Sequence, residues 1–226
     1  MDNKKFFVVI LFILALITNT YVVKISAETN EDYLNNALKR TNSTIEEIGV
    51  DTKYNTNTNG KKECKTWLEV MKFNNKRITI DDGKNYCVEF NNKQLSGYIE
   101  SIKKASNYDI LIHVKLLTDK NIINELKRKV IKPINYKSVS YIYIKAKSKI
   151  KNINIINNNI KSYFIKKRAK NLKTTRMNKI LSTTLYTGKY DYIFDDNKKV
   201  DLNYAVCKYN DGNYVIIGTP ILNINY

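Results

Sequence analysis

The run YKSVSYIYIKAKSKI, residues 136–150, decides the fold. Its side chains separate with a period of two. Val139, Tyr141, Tyr143, Lys145, Lys147 and Lys149 share one side, with Lys151 just beyond, and Ile142, Ile144, Ala146 and Ile150 share the other. Alternation of this length is what a β-strand with one buried face requires. Residues 136–150 are therefore expected to form one long strand.

Residues 152–172 change period. Ile156, Ile160, Tyr163, Phe164 and Lys167 fall at helical spacing, which predicts a helix. Strand patterns return over residues 174–186, 190–194, 199–209 and 213–226. Working back from residue 136, the same order of types is found. Residues 49–59 are polar around Tyr54 and read as a short edge strand. Residues 61–73 carry Cys64, Trp67, Leu68 and Met71 on one helical face. Four strands are expected at residues 76–81, 86–90, 95–102 and 108–117, the first two joined by an Asp82-Gly83 turn and the third holding Gly97 as a bulge or close approach. A helix at residues 121–131 stops before Pro133, and another is expected over residues 30–48, stopped by Gly49.

Each half thus reads strand, helix, four strands. The boundaries are about residues 28–135 and 136–226 of one domain. The first half adds a closing helix that the second lacks, and the helix at residues 30–48 is expected to fill the vacant place. Long meanders need one face covered, and helices are the only cover available. The expected fold is α+β: a duplicated, curved antiparallel sheet with helices on one face and the other face partly open.

Charge is unevenly distributed. From Leu126 to Tyr190 there are sixty-five residues without Asp or Glu, and eighteen are Lys or Arg. Residues 28–226 carry a formal +16, so everything outside this stretch sums to −2. A lysine-rich coding bias would raise glutamate as well and would not empty a long segment of acids. Lys145, Lys147, Lys149 and Lys151 recur every second residue, placing successive stems about 6.7 Å apart along a strand. Unpaired ammonium groups cannot be buried without several kcal/mol of cost, so the row must face solvent or a partner. With Lys166, Lys167 and Arg168 it forms the candidate polyanion-binding set. The competing reading is an edge strand guarded by lysines against unwanted pairing.

Residues 1–27 read as a secretory signal: Lys4 and Lys5, an apolar run over residues 6–17, and a small-residue end at Ala27 where cleavage is expected. The apolar run is shorter than the ~20 residues of a comfortable membrane span. An exported protein seldom meets nucleic acid, so the expected anions are cell-wall polymers and lipid headgroups. Three cysteines, Cys64, Cys87 and Cys207, remain in the mature chain. The count is odd and their settings are apolar, which favours buried free thiols, although a Cys64–Cys87 bridge stays open.

At the C-terminus Asp201-Leu202-Asn203-Tyr204-Ala205-Val206-Cys207 runs into Asn210-Asp211-Gly212-Asn213-Tyr214 and then Val215-Ile216-Ile217-Gly218-Thr219-Pro220. Asp211-Gly212 between two β-rich runs is a hairpin signal. This block, together with Glu63-Cys64-Lys65-Thr66-Trp67-Leu68, Gly97-Tyr98-Ile99-Glu100-Ser101 and the export signal, resembles the YwmB family of exported bacterial proteins. The resemblance implies a TATA-box-binding-protein-like saddle. It implies no activity, cofactor or catalytic residue, and a fold does not license DNA binding.

Catalytic chemistry has little to stand on. His113 is the only histidine and lies mid-strand near Asp109 and Lys115. A Cys207–His113 pair would need an accessible thiol on a neighbouring strand. Neither a phosphate loop nor a nucleophile elbow is present among the seven glycines, and one histidine excludes an ordinary zinc site. Asp81-Asp82 and Asp195-Asp196 read as turns rather than calcium ligands. The expectation is a non-enzymatic exported protein that needs no cofactor and binds an anionic envelope polymer or membrane surface. The second reading is a scaffolding or regulatory partner that meets another exported protein through the open, tyrosine-rich sheet face.

Overall fold

The computed structural model describes residues 30–73 and 75–222. The expected export signal at residues 1–27 and the final residues 223–226 lie outside them. The described residues fold as α+β, with ten strands in one curved sheet and four helices.

In chain order the elements are α1 (Asn30–Lys39), β1 (Ser43–Thr56), α2 (Gly60–Met71), β2 (Lys76–Asp81), β3 (Asn85–Asn91), β4 (Leu95–Lys103), β5 (Tyr108–Leu117) and α3 (Ile123–Ile131). They continue with β6 (Ser138–Ser148), α4 (Ile153–Lys166), β7 (Lys170–Met177), β8 (Ile180–Tyr186), β9 (Ile193–Asp195), β10 (Lys198–Val200), β11 (Leu202–Tyr209) and β12 (Gly212–Thr219). The large sheet has the order β2-β3-β4-β5-β1-β6-β12-β11-β8-β7, its pairs antiparallel, and β9 and β10 form a separate two-stranded ribbon.

One face of the sheet holds the main core. Ile48, Val50 and Tyr54 of β1, Ile110, Ile112 and Val114 of β5, Ile142, Ile144 and Ala146 of β6, and Val215 and Ile217 of β12 are buried there with the inner sides of the helices. Trp67 of α2 packs on Phe73 and Phe90, and its indole N–H donates to the carbonyl of Val130 in α3 at 3.1 Å, tying two helices together. Tyr33 of α1 meets Tyr163 and Phe164 of α4. Both principal helices start on an asparagine cap: Asn59 accepts from the Lys62 N–H and Asn152 from the Asn154 N–H.

Several expectations are corrected. The helix expected over residues 152–172 ends at Lys166, and residues 174–186, expected as one strand, divide between β7 and β8 at a turn where Asn178 is left-handed. The helix expected over residues 30–48 ends at Lys39, and residues 43–56 form β1, fourteen residues long and central rather than at an edge. Asn42 takes a left-handed conformation that ends the helical run, and Ile48, Val50, Thr52 and Tyr54 then alternate into the core. The strand expected over residues 136–150 is shorter. The Ser148 hydroxyl donates to the Thr41 carbonyl at 2.7 Å and accepts from the Ile150 N–H, which turns the chain out of the ladder before Lys149. Finally, β6 is paired on both sides, to β1 and to β12, so its lysines do not guard an edge. That task falls to β7, whose outer edge carries Lys170, Lys173 and Arg176, and to β2 with Lys76 and Arg77.

The Asp82-Gly83 turn is present, with Gly83 at positive φ and the Asp82 carboxylate accepting from the N–H groups of Lys84 and Asn85. The hairpin at Asp211-Gly212 joins β11 to β12. All three cysteines are free and buried.

Candidate functional site

The seven basic candidates do not form one patch. Lys145 and Lys147 project from the open face, where their cross-strand partners are Ile216 and Tyr214. The Lys145 ammonium lies 5.5 Å and 5.0 Å from the ring centres of Tyr209 and Tyr214, and that of Lys147 lies 5.4 Å from Tyr214. Lys147 also pairs with Asp211 at 3.0 Å. Hydrogen bonding to Asp211 holds the Lys147 ammonium above its ordinary range, while the Tyr214 hydroxyl and then Lys147 hold the Asp211 carboxyl below its own. These two lysines therefore have partners within the protein.

Lys166, Lys167 and Arg168 sit across the sheet, at the C-terminal end of α4, which packs on the helix-covered face against Leu181, Leu185 and Tyr204. The sheet stands between the two groups. Lys149 and Lys151 lie in the crossing from β6 to α4, so α4 itself, about 20 Å long at 1.5 Å per residue, separates them from Lys166.

What the fold does assemble is a cationic surface along α4 and the adjoining β7. Lys151 precedes the helix, and Arg176 of β7 reaches Asn154 in its first turn at 2.6 Å. Lys161 lies mid-helix, and Lys166, Lys167, Arg168 and Lys170 cluster at the far end. Among the described residues Lys149, Lys151, Lys161, Lys166, Arg168 and Lys170 form no ion pair. The acid that reaches this edge is Asp196, from the turn between β9 and β10, which pairs with Lys173 at 2.9 Å. Arg40, beyond α1, joins Lys166 in lining a recess of about 320 Å³ with Asn159, Ser162 and Tyr163, a set that contains two cations and no acid. Lys161, Lys170 and Arg176 were within reach of the sequence, because they lie in the acid-free stretch. Arg40 carries no sequence signal, since only the packing of α1 on α4 brings it there.

The open face has a different character. The central rows alternate charges: Glu47 faces Lys145, and Asp51 faces His113. His113 Nδ1 and Asp51 Oδ1 are 2.5 Å apart, with Tyr98 stacked on the imidazole at a ring separation of 5.3 Å. Tyr143 lies flat across Gly49, and its hydroxyl donates to Glu47 Oε1 at 2.8 Å. Burial, and then Glu47, raise the Tyr143 phenol far above its ordinary range. Farther along, Tyr143, Ala205, Cys207 and Ile216 form a small second core, against which Leu222 packs. Burial pushes the Cys207 thiol up to about 11. It stays protonated at neutral pH and lies outside the Asp51–His113 contact.

Among the described residues no group of three or more His, Cys, Asp or Glu side chains is placed to hold a metal ion, and no helix is long and apolar enough to cross a membrane. No family model matches the chain, and no curated protein matches it.

Proposed function

We propose that the chain is an exported, non-catalytic binding module that holds an anionic envelope polymer along α4 and β7. The observation that carries this reading is the uncompensated row of cations. The acid-free stretch folds back on itself as β6, α4, β7 and β8, and six of its exposed or half-buried cations, from Lys149 to Lys170, have no acidic partner among the described residues. The row follows a helix about 20 Å long, a footprint suited to an extended polymer such as an anionic cell-wall chain or a bilayer's headgroup layer. Lys145 and Lys147 drop out of the candidate set, because aromatic rings and Asp211 already engage them.

The reading includes a YwmB-like, TATA-box-binding-protein-like duplication, and the strand order supports it. β1-α2-β2-β3-β4-β5 and β6-α4-β7-β8-β11-β12 have the same order of types, and each first strand sits at the sheet centre with its second strand at an edge. α1 packs on α4 as α3 packs on α2, which is the arrangement expected if the N-terminal helix fills the place missing from the second half. The second reading, a protein partner on the open face, draws on the tyrosines there.

The test is retention of the protein on purified cell walls and on anionic vesicles across a salt series. A Lys151/Lys161/Lys166/Arg168/Lys170→Gln variant runs beside a Lys145/Lys147→Gln variant. At about 1 kcal/mol per cation near an anionic surface, the first variant loses well over tenfold in retention and the second stays near wild type. Equal retention of all three, or retention insensitive to salt, overturns the proposal.

A further inference from the structure

We propose that the recess on the open face floored by Asp51 and His113 binds a single neutral sugar ring. The strand register builds it. Tyr98, His113, Asp51 and Tyr141 are directly opposite one another across β4, β5, β1 and β6. Neighbouring strands lie about 4.8 Å apart, so the four side chains make a line with a tyrosine at each end, about 14 Å apart at the backbone. The intervening recess measures about 190 Å³ and is completed by Leu111, Lys53 and Ile221.

The polar groups suit hydroxyls. His113 uses Nδ1 on Asp51, and no described residue partners its Nε2, which stays accessible in the recess. Among the described residues nothing donates to the second carboxylate oxygen of Asp51, which remains an acceptor. A carboxylate oxygen beside an imidazole nitrogen offers two adjacent acceptor positions for vicinal hydroxyls. The tyrosine rings and the aliphatic groups of Leu111 and Ile221 supply flat apolar walls for the C–H faces of a pyranose.

Other ligand classes fit less well. A phosphate or carboxylate would meet the Asp51 carboxylate, and the lysine that lines the recess, Lys53, is tied to Asp109 at 3.4 Å. A peptide helix or strand needs far more room than one ring. A metal lacks its ligands among the described residues. A neutral polyol with an apolar face satisfies every wall. This site lies across the sheet from the cationic surface, and its existence does not depend on polymer binding there.

Because His113 is the chain's only histidine, its imidazole C–H proton is a unique resonance. The purified protein is titrated with N-acetylglucosamine and, separately, with methyl β-glucoside, using glycerol as the control. A ligand of this size is expected to saturate the His113 shift with a dissociation constant on the order of millimolar. Asp51→Asn, which keeps the shape, and Tyr98→Ala weaken it at least tenfold, while the five-residue Gln variant leaves it unchanged. Circular dichroism confirms that each variant is folded. If Tyr98→Ala does not fold, the wild-type titration and Asp51→Asn decide. Absence of a saturable shift with either sugar, or an equal shift with glycerol, overturns the proposal.

Discussion

Replacing Gly49 by alanine should destabilise this protein, although the local backbone is ordinary strand and alanine there would normally help by about 0.5–1 kcal/mol. The reason is Tyr143. A Cβ at residue 49 would lie 2.0 Å from Tyr143 Cε1 and 2.3 Å from Cζ, so the ring cannot keep its place across β1. Tyr143 is 4% exposed and its hydroxyl donates to Glu47. A tyrosine buries about 150–250 Å², and returning half of it to water at about 25 cal/mol per Å² costs about 2–3 kcal/mol. Losing the charge-assisted hydrogen bond adds about 1 kcal/mol, so after the backbone gain the net is about 3 kcal/mol. For a chain of this size that is a fall in Tm of about 6–12 °C. The assay is thermal and urea denaturation of Gly49→Ala, Tyr143→Ala and the double variant. With Tyr143 truncated, Gly49→Ala should become neutral or stabilising, giving a coupling of about 3 kcal/mol. A Gly49→Ala protein within about 0.5 kcal/mol of wild type, or an equal cost in both backgrounds, refutes the reasoning.

Further outcomes follow from the buried polar groups. Asp201 is fully buried, and its carboxylate accepts from the Thr187 N–H at 2.6 Å, the Thr187 hydroxyl at 2.9 Å and the Lys189 N–H at 3.1 Å. Asp201→Ala should therefore cost about 3–5 kcal/mol in urea denaturation, whereas an exposed control such as Asp119→Ala should stay within about 0.5 kcal/mol. Burial pushes the Cys64 thiol up to about 12, Cys207 to about 11, and Cys87 upward as well. Because the folded values exceed the unfolded ones, these thiols stabilise the fold fully below about pH 8.5, and that contribution fades as pH rises toward 11–12. A thiol reagent at pH 8 should label no cysteine in the native protein and three after denaturation. Fast native labelling, or an undiminished stability up to pH 11, would contradict this burial.

Much of the fold was legible because burial has a period. The alternation in residues 142–146, the helical spacing of Cys64, Trp67 and Leu68, and the turn residues at Asp82-Gly83 and Asp211-Gly212 each report a local constraint, and each appears where expected. β1 was not legible for a physical reason. Tyr33, Leu34, Ala37 and Leu38 set a helical period, and Ile45 and Ile48 fall in phase with it, so the change of period is hidden. What breaks the helix is one left-handed residue, Asn42, and what makes a strand of the remainder is pairing with β5 and β6, sixty and a hundred residues away. The Asp51–His113 contact was invisible for the same reason, since its two members meet only through that pairing.

The site shows a sharper limit. A run of lysines at every second residue states that they share a face, but not which face, nor where the strand stops. Ser148 stops it, by a hydrogen bond to Thr41 that only the folded chain supplies. Two of the four lysines then fall out of the row, and the other two find tyrosines and Asp211 on neighbouring strands. The absence of acids is a different kind of signal. It needs no register, because a segment without carboxylates cannot neutralise itself however it folds, and only acids from elsewhere can. Glu125, Asp211 and Asp196 do reach it, at Lys129, Lys147 and Lys173. Lys149, Lys151, Lys161, Lys166, Arg168 and Lys170 form no ion pair among the described residues, and there composition, rather than spacing, supports the proposed binding surface.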